Sequence, residues 1–446
     1  MAPHNTDRKS YRFRKDIGHR LLPHVVDELA QTDPDRVLYE FPLTNNLSDS
    51  FVSITACQYA NAINRTAWWL ERVLGRRPEY PTIGYEGPQD LRYFLLLIAA
   101  VKVGYKMLFT SPRNTIEGDL AVISGAKCGI WLFPRQGGHA NRLLGRIPLE
   151  TVEVPDLDFF MDRATVPLFE YQRGWETGKR DYAWVLHTSG STGNPKPVFR
   201  FLDSVASAGA NNLLPRIDGR PLLLHDYYDT RVYLTFPFYH GAGLVNGMLW
   251  PIYHGTTIVL GPQKPVSLDV MEQVVQHTKP TAIFTTPSLV EEISKDCRFL
   301  ELLHGVEALA YGGGPVSVEA GNKIWQHTDL RLSIGTTEAG WLPCVETEPD
   351  DWNYIYPHPN CGFQFRPHLD GLYELIAVRQ HHLAQWQSIF STFPGLYEYS
   401  TKDLFSKHPT KEALFKYEGR ADNIIVLSNG ENSSQKTWNL RLELIL

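Results

Sequence analysis

DYAWVLHTSGSTGNPKPV, residues 181–198, is the stretch from which the rest of the chain can be read. Tyr182–His187 is an apolar run of strand length. It opens into a loop of Thr188, Ser189, Gly190, Ser191, Thr192 and Gly193 that closes on Pro195-Lys196. Glycines let the backbone bend and approach a ligand closely. Hydroxyls and free N–H groups at such a bend can surround phosphate oxygens, and a lysine adds positive charge. The apolar strand before it and the Pro-Lys after it set this segment apart from an ordinary polar surface loop. A Walker A loop needs G-x-x-x-x-G-K-[ST]. Here Pro195 and Pro197 flank Lys196, which excludes a kinase-like or GTPase-like P-loop.

Working outward, the same strand-then-helix alternation recurs. Helical spacing of apolar residues predicts helices over Leu21–Leu29, Thr55–Leu74 and Leu91–Val103, the last closed by Gly104. Short strands are expected at Thr82–Tyr85, Lys106–Phe109 and Cys128–Phe133. Downstream, strands are expected at Val232–Phe236, Thr257–Leu260, Ala282–Thr285, Ala308–Tyr311 and Leu330–Ile334. Helices are expected at Leu244–Tyr253, Val270–His277 and Ser288–Lys295. This order implies an α/β fold with parallel-rich sheets. Beyond residue 360 the alternation of Tyr373–Val378 and the thinning of helical pattern point to a small β-rich subdomain.

Bulk properties narrow the function. The 446 residues exceed what one small core organises, so two or three packed subdomains are expected. A net charge of −6 with no basic run argues against a nucleic-acid partner. Phe94–Val101, the most apolar run, stops at Lys102 and is too short to span a membrane, so no membrane partner is expected and a buried helix is. Five scattered cysteines with no C-x-x-C pair fit neither a zinc site nor a disulfide framework, and point to a reducing cytoplasm. The polar, basic N-terminus has no apolar segment of a secretory signal.

With Tyr311-Gly312-Gly313-Gly314-Pro315, Gly335-Thr336-Thr337-Glu338, Thr401-Lys402-Asp403-Leu404 and Gly419-Arg420-Ala421-Asp422 following in order, the 187–196 segment resembles the phosphate-binding signature of the adenylate-forming (AMP-binding) superfamily. The resemblance spans residues 20–431. It implies a large N-terminal domain of two α/β subdomains plus a small β-barrel-like subdomain, using ATP and Mg²⁺. By resemblance, Lys196 and the 188–193 loop bind phosphate, Thr337 bonds the α-phosphate and Glu338 holds Mg²⁺. Gly312, Gly313, Gly314, Ser333, Ile334, Gly335 and Thr336 line the nucleotide site, Asp403 binds ribose, Arg420 sits near ribose or phosphate, and Asp422 is a hinge. Mg²⁺ suits a carboxylate because it prefers hard oxygen donors. The expected layout is an N-terminal arm at 1–20, the large domain at 21–419, and a hinge with a remnant of the small C-terminal domain at 420–446. Only 24 residues follow Asp422, so that small domain is expected to be mostly missing. Its catalytic lysine is not assigned, because Lys436 lacks the family's proline and glycine context.

The segment Phe236–Gly243 addresses the substrate. Amino-acid-activating relatives carry an aspartate here to pair with the substrate ammonium, yet no acidic residue lies between Arg231 and Leu260. A buried ammonium without a counter-charge is costly. The expected substrate is therefore an aryl, aliphatic or keto acid without an α-amino group, with Phe238, Tyr239, His240 and Thr286 around it and His240 facing its carboxylate. Strings such as Ser111-Pro112-Arg113-Asn114 and Phe405-Ser406-Lys407-His408 most resemble fungal synthetase-like enzymes and adenylate-forming reductases. In that branch a carrier (thiolation) domain, here in trans, receives the acyl group. Two departures stand out: Lys402 where the family has glycine, leaving open whether its side chain crowds the ribose or points outward, and Ile334 where a tyrosine often stacks on adenine. An adenylation domain with impaired turnover, a stand-alone acyl- or aryl-CoA ligase, and a non-catalytic nucleotide-binding remnant are the three readings the sequence leaves.

Overall fold

The structure, a computed structural model, describes residues 16–47, 50–135, 143, 145–188, 195–421, 424–426 and 432–434. Two mostly parallel sheets form the α/β body. The first has seven strands in the order Asp329–Ser333, Ala308–Gly312, Ala282–Thr285, Arg231–Leu234, Thr257–Val259, Val37–Pro42 and Phe51–Thr55. Only its last pair is antiparallel. The second has six, in the order Glu150–Val154, Cys128–Pro134, Thr82–Tyr85, Lys106–Phe109, Tyr182–Thr188 and Lys196–Phe201. Its final two strands form an antiparallel hairpin with Thr188 paired to Lys196.

The helix Arg92–Val103 holds these sheets together. All twelve of its residues are buried, which is why its sequence shows almost no polar face. It packs on the Lys106–Phe109 and Tyr182–Thr188 strands of the second sheet. Its Phe94 stacks on Tyr39 of the first sheet, ring centroids 5.7 Å apart, and meets Phe238 at 4.6 Å. One continuous apolar core results, running from Leu21 to Ala310. Lys102, at the end of the run, is buried with Nζ 2.6 and 2.8 Å from the two carboxylate oxygens of Asp27 and 3.1 Å from Asn64 Oδ1. The three ammonium protons thus have three acceptors, the condition under which a buried charge is tolerated.

The third unit is a six-stranded antiparallel sheet, in the order Cys344–Val345, Tyr354–Pro357, Phe415–Arg420, Glu398–Lys407, Leu372–Val378 and Phe363–Pro367. It is the expected β-rich subdomain, but it begins near residue 344 rather than 360. Other boundaries shift as well. The strand expected to reach Phe236 ends at Leu234, and the helix expected from Leu244 starts at Gly241 and ends at Leu249, followed by a π-helical turn over Trp250–His254. Pairing ends the first where Pro237 approaches. The second starts early because His240 caps it, its Nδ1 accepting from the Ala242 N–H at 3.2 Å. Among the described residues no helix is long and apolar enough to cross a membrane.

Candidate active site

The parallel strands of both sheets run toward one cleft, at the carboxyl edge where open α/β sheets carry their ligands. The cleft encloses about 860 Å³. His187, Thr188 and Lys196 reach it from the second sheet. Gly312, Gly313, Gly314, Ser333 and Ile334 reach it from the first. Thr336, Thr337 and Glu338 reach it from a hairpin, and Asp403 and Arg420 from the antiparallel sheet. Segments up to 233 residues apart in sequence, His187 to Arg420, therefore share one cavity. Ser189, Gly190, Ser191, Thr192, Gly193 and Asp422 lie outside the described residues.

The hairpin is built by pairing Gly335 with Trp341 and Thr336 with Gly340, which lifts Thr337 and Glu338 onto its turn. That turn is clamped from below. The Glu338 carbonyl accepts from Arg200 Nη1 and, at 2.8 Å, from Thr392 Oγ1. The Ala339 carbonyl accepts from Ser388 Oγ and, at 3.5 Å, from Arg200 Nη2. Arg200 is buried, and loss of hydration pushes its guanidinium down to about 10, so it is still charged at neutral pH. It stands on the strand Lys196–Phe201, four residues after Lys196. It thus links that strand to the Glu338 turn. Sequence reasoning passed over it, although an arginine at an inward position of the strand Lys196–Phe201 was a legible signal.

Opposite, Asp403 and Arg420 are cross-strand partners with Arg420 Nη1 3.6 Å from Asp403 Oδ1. The Asp403 N–H donates to Thr401 Oγ1 at 3.1 Å. Lys402 between them takes φ +65°, the left-handed region that favours glycine. Its side chain is exposed, does not line the cleft, and has Nζ 3.8 Å from Glu374 Oε1. Lys402 therefore points outward: the backbone keeps a glycine-like turn with a lysine in it. Ile334 lines the wall, and Trp341 beside it donates from Nε1 to Ser333 Oγ at 2.9 Å.

One side of the cleft follows the helix Gly241–Leu249. Gly243 permits the tight entry, since a Cβ there would lie 2.1 Å from the Pro237 carbonyl oxygen. His240 lines the cleft, and lost hydration holds its imidazolium below the usual histidine range. With Nδ1 accepting from Ala242, the neutral ring carries its proton on Nε2. His187 is likewise held low, mainly by burial, and its Nε2 accepts from the Ser111 N–H at 3.2 Å. Of the four residues expected around the substrate, Tyr239 and His240 line the cleft, whereas Phe238 and Thr286 do not. Phe238 turns into the core against Phe94, because Phe238 and Tyr239 are the two central residues of a turn closed by the His240 N–H donating to the Pro237 carbonyl at 3.1 Å, and they leave it in different directions. Thr286 is not among the lining residues; its hydroxyl bonds Ser288 Oγ at 3.0 Å at the start of the next helix. Trp184, Asn246, Phe284, Trp341 and Lys416 line the cavity without having been singled out.

Comparison with known proteins agrees with this geometry. Residues 26–366 match the AMP-binding enzyme family. The chain is 33% identical over 416 residues to an isocyanide synthase–NRPS hybrid of Aspergillus fumigatus, covering 92% of this chain and 27% of that protein. It is 33% identical over 427 residues to a carboxylic acid reductase of Neurospora crassa, covering 93% and 40%. The chain thus spans between about a quarter and two fifths of these curated relatives. In fold it is similar to the Klebsiella oxytoca NpsA N-terminal subdomain in complex with 3-hydroxyanthranilyl-AMSN (TM-score 0.65, 16% identity, 91% of this chain and 100% of that one). It is also similar to o-succinylbenzoate CoA synthetase of Bacillus subtilis in complex with AMP (TM-score 0.68, 16% identity, 93% and 81%). Its ordered motifs, converging on one cleft between two α/β sheets, and the match over three quarters of its length place the chain in the AMP-binding enzyme family.

Proposed function

We propose that this chain joins ATP to a carboxylic acid lacking an α-amino group, giving an acyl-adenylate and pyrophosphate. The observation that carries the proposal is the shared cleft, with Thr188 and Lys196 on one wall and Thr337 and Glu338 on another. Among the described lining residues, Lys196, Arg200, Lys416 and Arg420 outnumber the carboxylates Glu338 and Asp403, which suits a polyanionic triphosphate. A carboxylate oxygen attacks the α-phosphorus, a P–O bond forms, and the bond to the pyrophosphate leaving group breaks.

Two anions must meet for this, so charge neutralisation and alignment are the main tasks of the site. Lys196 and Arg420 supply positive charge toward the phosphates, and the Thr337 hydroxyl donates to the α-phosphate. Asp403 accepts from ribose hydroxyls. Neutral His240 donates from Nε2 to the substrate carboxylate and orients it without carrying a net charge. Glu338 suits Mg²⁺, a hard cation that keeps most of its waters and, when bound, offsets phosphate charge. The absence of an acidic residue between Arg231 and Leu260 supports an acid without an ammonium group. The carboxylic acid reductase among the relatives supports a carboxylic acid as substrate. A carrier domain is the proposed acceptor, and the cytoplasm the proposed location.

The test is ATP–pyrophosphate exchange over a panel of aryl, aliphatic, keto and amino acids, with AMP binding measured in parallel. Exchange with an acid of the first three classes, abolished in Glu338→Gln, is the expected result. AMP binding without exchange for any acid would leave a nucleotide-binding remnant. Exchange confined to α-amino acids would refute the substrate assignment.

A further inference from the structure

The helix Gly241–Leu249 reads GAGLVNGML, apolar or glycine except for one asparagine. Asn246 is 4% exposed, yet it lines the cleft. Ala242, Val245 and Asn246 fall at i, i+3 and i+4, so they form one face, and all three line the cavity. The Asn246 carbonyl oxygen Oδ1 is buried and has no hydrogen-bond partner among the described residues. A buried carbonyl oxygen left without a donor carries a desolvation cost that nothing offsets. Leucine would suit this position if packing were its only task.

The surroundings make the amide selective. The cavity near this helix is lined by Leu186, Tyr239, Val245 and Phe284. Trp250, one helical turn after Asn246, stacks on Phe284 with centroids 5.4 Å apart. The amide is thus the one polar side chain of a helix that otherwise offers the cleft apolar residues, the arrangement that fixes a ligand's orientation in a largely apolar wall. Its depth is set by the helix. It stands six positions after His240, which is about 9 Å of helical rise. His240 and its neighbours at 241 and 242 are at least partly exposed, while Asn246 and the residues after it are buried. The amide therefore lies at the far end of the pocket from the group that faces the carboxylate.

We propose that Asn246 is a specificity-determining residue, and that the preferred acid carries an aromatic ring with a hydroxyl remote from its carboxylate. A hydroxyl both donates and accepts, so it satisfies the amide in either orientation. This inference rests on the acid-activating reading above. The probes are paired acyl-sulfamoyl adenosines, benzoyl against 3-hydroxybenzoyl and 4-hydroxybenzoyl, titrated calorimetrically into the full chain and into Asn246→Leu, with AMP as reference. In the native chain one hydroxylated probe is expected to bind about tenfold more tightly than benzoyl. In Asn246→Leu that ratio should fall to about one while AMP affinity holds. Equal affinity across the native set overturns the inference, as does an undiminished ratio in Asn246→Leu. The native comparison stands even if the variant fails to fold. Failure of the native chain to bind AMP and every probe is a separate outcome, which removes the acid-activating reading itself.

Discussion

Arg200→Met should damage the site through the Glu338 turn. The side chain is 4% exposed, and its guanidinium holds the backbone carbonyls of Glu338 and Ala339. The contact with Ala339, at 3.5 Å, lies at the limit of a hydrogen bond and adds little. The bond to Glu338 is charge-assisted, and such bonds contribute about 1.5–3 kcal/mol. Methionine fills similar volume and removes the cost of burying the charge, so part of that loss is recovered. Thr392 still donates to the Glu338 carbonyl at 2.8 Å, so no orphan acceptor is left behind. The net loss of stability should be about 1–2 kcal/mol, read by urea denaturation. The functional loss should be larger, because displacement of a positioned group by 1 Å can cost about 100-fold in rate. Affinity for MgATP should fall clearly more than affinity for AMP, since Glu338 is proposed to serve the metal and AMP binding does not depend on it. Calorimetric titration of both nucleotides distinguishes positioning from general damage. Unchanged MgATP affinity, or equal weakening toward MgATP and AMP, would refute the role assigned to Arg200.

Asp27→Asn leaves the buried Lys102 ammonium without its counter-charge and should cost about 3–5 kcal/mol near neutral pH. Burial lowers the folded-state Lys102 pKa, so the unfolded chain binds more protons up to lysine's ordinary range. The deficit should therefore shrink as pH rises, in paired urea titrations near neutral and alkaline pH. Lys402→Gly relieves a left-handed φ of +65° and should raise stability by up to about 1 kcal/mol, since lysine's strain is partly offset by glycine's unfolded-state entropy. Nucleotide affinity should be unchanged, because the Lys402 side chain is outside the cleft. His187 has its pKa depressed by burial, so between that value and the ordinary histidine range the unfolded chain takes up a proton that the folded ring refuses. Stability should decline as pH falls below about 6.5, and His187→Gln should flatten part of that slope in melting curves. Gly243→Ala would drive a methyl onto the Pro237 carbonyl, displace the His240 cap and weaken acyl-adenylate analogues more than AMP, measured by competition binding.

The linear chain determined whatever depends on neighbours in sequence. Period-two and period-3.6 patterns marked most strands and helices of the α/β body, because each side chain's face follows from its position along a regular backbone. The wholly buried Arg92–Val103 showed as a continuous apolar run, and the glycine- and hydroxyl-rich segment stood out by its composition and its place after an apolar strand. The order of later motifs supplied the other candidates for the same site. Tertiary structure decided what depends on packing across long separations. It brought Thr188 and Lys196 into one cavity with Glu338 and Asp403, turned Phe238 into the core while leaving Tyr239 on the wall, and sent Lys402 outward. It also disclosed Arg200 beneath the Glu338 turn and Asn246 on the wall of the cleft. A motif constrains the residues a loop can hold, whereas the direction of a side chain and the distant carbonyl it meets are fixed only when the sheets dock and their register is set.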